Sequence, residues 1–125
     1  MLDALCLSLA IYFEARDQPP PGQSAVAEVI LNRVYSPLYP DDICSVVYAP
    51  AQFSFTANPT EIKNAHAWIN ATELAYDALT FCTNCPGLNS THYHASYVSP
   101  PWAKVFTPEA TIGGHLFYIN ETPYP

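Results

Sequence analysis

Positive charge is what this sequence has least of. Four Lys and Arg stand against eleven Asp and Glu in 125 residues, a formal net charge of −7 at pH 7. Nucleic acids and anionic membrane surfaces reward clustered cations, so neither is an expected partner. Charged residues make up only 12% of the chain, whereas 50% is hydrophobic and 14% aromatic, which excludes a solvated, unfolded polymer. Glycine is scarce too, four against thirteen prolines, and this implies stiff, defined loops. No stretch has the length and uniform apolarity of a membrane span. The apolar start, Met1 to Ala10, carries Asp3 where an export signal would be basic, and Glu14 follows with no small-residue cleavage site. It reads as folded structure rather than as a signal peptide. With no internal repeat and no linker, residues 1–125 are expected to form one domain and to act as a monomer.

Helical patterning dominates the first two thirds. Leu2, Leu5, Cys6, Leu9 and Phe13 form a helical stripe, with Leu7 and Ile11 across from it, so the first helix should be central. "DQPPPGQ" ends it, and a second helix is expected from about Gln23 to Tyr35, with Val26, Val29, Ile30 and Arg33 on one side. Asp41 or Asp42 can cap a short helix next. "AQFSFT" alternates Phe53 and Phe55 and suggests a short extended piece. The third long helix should begin near Pro59 and present Ile62, Ala65, Ile69, Thr72, Tyr76 and Leu79 as its apolar stripe. "THYHASYV" and "GGHLFYI" then read as strands separated by a Pro-rich connection. Helices first and strands last predict the α+β class.

Four cysteines permit three pairings, which spacing cannot decide. Cys6, inside the first helix, reads as a small buried hydrophobe. Cys82 and Cys85 in "CTNC" could form a local disulfide, half a metal site or two free thiols.

The residue that points to chemistry is Glu14 in "IYFEARDQPPPGQSAVAEVILNRV". It shares a helix face with Leu7, Ala10 and Ile11 and lies near a helix C-terminus. Desolvation and the negative end of the helix dipole both disfavour its charged form, which suits a general acid. The competing reading is an ion pair with Arg16 or Arg33.

That segment, followed by "ICSVVYAPAQFSFT", "THYHASYVSPPWAKV" and "IGGHLFY", resembles the successive blocks of the SleB/CwlJ cell wall hydrolases, in order from Leu5 to Tyr118. That family includes spore-cortex lytic enzymes and related phage proteins. The resemblance implies a lysozyme-like helical lobe with a central catalytic helix and a small C-terminal antiparallel β-sheet. It implies cleavage of the MurNAc–GlcNAc backbone of peptidoglycan, as a lytic transglycosylase with Glu14 as acid and then base. Such an enzyme needs no cofactor and no second carboxylate. It also implies action outside the cytoplasm, on the wall, with phage origin or another export route replacing a signal peptide. "STHYHASYV" departs from the spore enzymes in its two histidines, so cortex-specific recognition is not carried over.

A substrate groove is expected to draw on several further residues. Gln52 and Ser54 can hydrogen-bond sugar hydroxyls, and Phe53 or Phe55 can pack on a pyranose face; the alternative is a core strand that buries both phenylalanines. Thr91, His92, Tyr93, His94, His115 and Tyr118 are the candidates from the strand region. Two alternatives accompany this reading. His92, His94 and His115 could hold catalytic zinc for an amidase or peptidase, and an aromatic-rich chain of this size could be a non-catalytic wall-binding module. Glu28 is the candidate for a second carboxylate, against a solvated or Arg33-paired helix residue.

Overall fold

Proline sets the first corner of the chain. The computed structural model describes residues 2–50, 52–58 and 60–120, and places helix α1 at Leu2–Ala15 and α2 at Pro20–Tyr35. The residue before a proline is pushed out of the helical region, so α1 cannot run through Gln18. Pro19 is the extended N-cap of α2 and Pro20 its first residue, where a missing N–H costs nothing. The second helix thus begins three residues before the expected Gln23. Asp42 caps α3, Ile43–Val47, by accepting from the Ser45 N–H at 2.9 Å. A short α4 follows at Ser54–Ala57, then α5 at Ala65–Leu79, β1 at His92–Ala95, a 3-10 turn at Pro101–Lys104, β2 at Thr107–Ile112 and β3 at His115–Ile119.

The strands form one antiparallel sheet in the order β1-β3-β2. Strand β2 is absent from the sequence reading because Pro108 and Glu109 are poor strand formers. An edge position tolerates the proline, and the register shift between Pro108 and Ala110 sets Glu109 out of the ladder. Its carboxylate instead accepts from the Asn89 N–H, at 2.9 and 3.0 Å, and from the Ser90 hydroxyl, bracing the approach to β1. Strands β2 and β3 turn at Gly113 and Gly114. Gly113 has φ +58°, and a Cβ there would lie 2.5 Å from Gln18 Oε1. Glycine lets the hairpin dock on the α1–α2 corner, where Gln18 Oε1 accepts from the Gly114 N–H at 2.8 Å.

Helix α1 is central to the helical layer, but not through the expected stripe. Leu2 and Leu5 are exposed, while Leu7, Ala10, Ile11 and Tyr12 are buried. Leu7 and Ile11 each contribute on the order of 1.5–3 kcal/mol by leaving water. Helix α2 has two apolar faces. Val26, Ala27 and Ile30 join the helical core, and Ala25 and Val29 meet Phe117 of the sheet. Helix α5 also turns a different face inward from the one expected. Ala71, Leu74, Ala75 and Ala78 are buried, leaving Ile62, Ile69 and Tyr76 exposed. Alanines allow α5 to approach α1 closely, which large side chains at those positions would prevent. Its start is set by the Asn64 cap and by the Tyr12 hydroxyl, which accepts from the Lys63 and Asn64 N–H groups at 3.1 Å each. Pro59, the expected starting signal, lies outside the described residues.

Both pairs of cysteines are bonded. Cys6 is buried as expected, yet it is not a lone hydrophobe: it is bonded to Cys44, tying α1 to α3 across 38 residues with Cα atoms 5.3 Å apart. Cys82 is bonded to Cys85. Among the described residues no helix is long and apolar enough to cross a membrane.

Candidate active site

The end of α1, the 52–53 loop, β1 and the start of β3 enclose an open cleft of about 360 Å³. Glu14 enters it from the next-to-last position of α1. The Tyr93 hydroxyl donates to Glu14 Oε1 at 2.7 Å, so the ion pair with Arg16 or Arg33 gives way to a neutral donor on the sheet. Burial pushes the Glu14 carboxyl above its ordinary value, and the Tyr93 hydrogen bond opposes part of that rise. Burial, and after it the same contact with Glu14, pushes the Tyr93 phenol up. Tyr93 therefore stays a neutral donor, and the protonation of Glu14 is set by burial acting against that hydrogen bond.

Replacing Tyr93 with Phe removes the hydrogen bond that favours the carboxylate and keeps the burial that disfavours it. The Glu14 titration midpoint, followed by carbon-detected NMR of the side-chain carboxyl, should move upward. An unchanged or lower midpoint would show that the phenol does not stabilise the charged form.

Of the expected groove residues, the structure brings Gln52, Phe53, Tyr93, His94 and His115 into this cleft with Glu14. Ser54 faces the neighbouring hollow on the other side of Glu14, beside Phe55, Asn58 and Thr60. The expected extended "QFSFT" is a loop leading into α4, and its two phenylalanines are buried; Phe13, which lines both hollows, stacks on Phe55 at 5.0 Å. The remaining three candidates do not line the cleft. Thr91 offers its backbone oxygen to Arg33. His92 packs among Tyr39, Trp102 and Phe106, where burial, and the Arg33 charge second, push its imidazole down to about 4. The Tyr118 hydroxyl holds His94 Nε2 at 2.9 Å, positioning a cleft residue from behind.

Strand register decides the zinc question. His92 stands opposite Tyr118 and His94 opposite Leu116, whereas His115 stands opposite Ala95, one position out of phase. Facing pairs share a side and successive residues alternate, so His115 projects from the other face of the sheet, with Tyr93. His94 and His115 both reach the cleft but His92 does not, and among the described residues the three imidazoles do not gather as a ligand set. Among the described residues, the metal-capable trio is Glu28, Cys82 and Cys85, whose sulfurs are bonded to each other. Glu28 is not a second acid of the cleft either. It accepts from the Gly87 and Leu88 N–H groups at 3.0 Å and anchors the loop after the Cys82–Cys85 bond. Asp17, which is exposed, lines an adjoining hollow together with Glu14 and Arg16.

Sequence reasoning missed Phe13, Arg33, Ala95 and Tyr97 as lining residues. The signal for Arg33 was present, since a cation shared the apolar side of α2 with Val26 and Ile30.

A helical layer and a small antiparallel sheet thus frame one open cleft around Glu14. The chain belongs to the cell wall hydrolase family, whose profile matches residues 17–118, a span that begins just after Glu14. It is 32% identical over 120 residues to the spore cortex-lytic enzyme of Bacillus subtilis, covering 92% of this chain and 37% of that protein. The corresponding enzyme of Oceanobacillus iheyensis is 31% identical over 118 residues, again 92% of this chain and 41% of the relative. The chain thus spans about two fifths of the length of these curated relatives. Among solved structures, the catalytic domain of the germination-specific lytic transglycosylase SleB from Bacillus anthracis superposes with a TM-score of 0.79, at 29% identity and 93% coverage of both chains. The catalytic domain of the Bacillus cereus SleB protein gives 0.78, at 29% identity, covering 93% of this chain and 88% of that one.

Proposed function

We propose that this chain is a peptidoglycan-cleaving catalytic domain that acts as a lytic transglycosylase, with Glu14 as general acid and then general base. The observation that carries the reading is Glu14 itself. A carboxyl group pushed toward its protonated form stands in an open groove, held by one phenol. Glu14 transfers its proton to the glycosidic oxygen as the bond from the muramyl C1 breaks. The C6 hydroxyl of the same sugar then attacks C1, and its proton returns to the Glu14 carboxylate, closing a 1,6-anhydro ring. Water takes no part, so one carboxyl group serves both steps. An intramolecular nucleophile carries an effective molarity on the order of 10⁵ M or more when well oriented. The names of the relatives support the same chemistry and substrate. Two disulfides favour an oxidising setting outside the cytoplasm, where the wall is.

A non-catalytic binding module has little use for a desolvated acid, which lowers stability where its charged form is buried. The products separate the remaining readings. Mass spectrometry of digested peptidoglycan should find 1,6-anhydromuramic ends, one water lighter than hydrolysis products. Reducing muramic ends would make the protein a hydrolase and turn attention to Asp17 as the second acid. Free stem peptides with intact glycan would overturn glycan cleavage altogether.

A further inference from the structure

Arg33 is buried at the edge of the cleft, 6% exposed, and it is held from several sides. Its Nε donates to the Thr91 carbonyl at 2.7 Å and a terminal nitrogen donates to Gln52 Oε1 at 2.8 Å. The guanidinium lies 5.2 Å from the Tyr39 ring centre and 5.9 Å from that of Phe53. A cation fixed in this way dictates the orientation of its partner. Arginine has donors only, so the Gln52 atom facing it is the carbonyl oxygen. The Gln52 NH₂ group is therefore at the far end of the planar amide, and no described residue accepts from it. Gln52 is exposed and borders the same cleft as Glu14.

We propose that Gln52, oriented by Arg33, is a specificity residue that donates to an amide carbonyl of the substrate, and that this amide is the 2-acetamido group of an amino sugar. The proposal rests on the reading of the chain as a glycan-cleaving enzyme and says which feature of the glycan it selects. Sugar hydroxyls can donate or accept, so they do not require a Gln fixed in one orientation. An acetamido carbonyl only accepts. Peptidoglycan offers other amide carbonyls along the stem peptide, the first where the stem joins the lactyl group. The acetamido group is the better fit because it sits on C2, next to the C1 bond that Glu14 would cleave.

Gln52→Glu tests this without disturbing the core, because the residue is exposed and a carboxylate can still accept from Arg33. The variant presents an acceptor where the parent presents a donor. On fully N-acetylated glycan its apparent KM should rise about tenfold, the usual worth of one hydrogen bond, with kcat little changed. On de-N-acetylated glycan, whose ammonium groups only donate, the order should reverse and the variant should cut faster than the parent. Removing the stem peptides should leave the ratio of variant to parent unchanged. Equal preference in parent and variant would overturn the proposal, and so would a penalty that disappears with the stems.

Binding is followed separately by the Gln52 side-chain amide signal in nitrogen-edited NMR, titrated with N-acetylglucosamine and with glucosamine oligomers. If the parent leaves peptidoglycan uncut, the enzymatic reading fails, and this titration alone decides. A shift with the N-acetylated oligomer only supports the acetamido site, and no shift removes it.

Discussion

Replacing Glu14 with Gln should slow glycan cleavage by about 10²–10⁴-fold, the usual worth of a positioned proton donor, while leaving a protein at least as stable as the parent. Gln keeps the shape and can still accept from the Tyr93 hydroxyl, so the loss belongs to proton transfer. The stability half follows from the raised carboxyl. In the unfolded chain Glu14 ionises near its ordinary value of 4.5, while in the fold it holds its proton to higher pH. Between those two values the folded state binds more protons, so the parent loses stability as pH rises. Above the folded value the cost is complete and constant. Gln carries no such cost. Urea midpoints of the variant should therefore draw ahead of the parent as pH rises from about 4.5 and then run parallel. A variant that lyses purified walls at the parental rate would remove Glu14 from the mechanism. A variant that loses ground with rising pH would contradict the desolvated carboxyl.

Removing the Cys6–Cys44 bond by a double substitution to Ala should cost about 4 kcal/mol, the chain-entropy value for closing a loop of 38 residues. Removing Cys82–Cys85, separated by 3 residues, should cost less than half as much on the same relation. Urea unfolding of the two double variants beside the oxidised parent gives the comparison. The larger effect also bears on function, because Cys6 belongs to the helix that carries Glu14, and Cys44 holds that helix to α3. Equal losses from the two pairs would mean that loop closure is not what these bonds contribute.

Much of this protein was legible in its residues, because local chemistry alone decides it. The break after α1 is written in the Pro19 to Pro21 run, since a missing N–H and a locked φ act within two residues. The Asp42 cap, the α+β order of elements and Glu14 as the odd carboxylate on an apolar helix are likewise local facts. Tertiary structure decided what depends on partners distant in sequence. Helix α5 contained apolar residues on more than one face, and only the close approach of α1 selects its alanines over Ile69 and Tyr76. Strand β2 has weak local propensity and exists because β3 supplies its ladder. His92, His94 and His115 are alike as residues, and only the pairing of β1 with β3 separates the third from the other two. Tyr93 as the partner of Glu14, 79 positions away, and Arg33 as the residue that turns Gln52 outward, had no local signature. A hydrogen bond requires its donor and acceptor within about 3 Å in a set direction, and for residues far apart along the chain only the packed fold provides that.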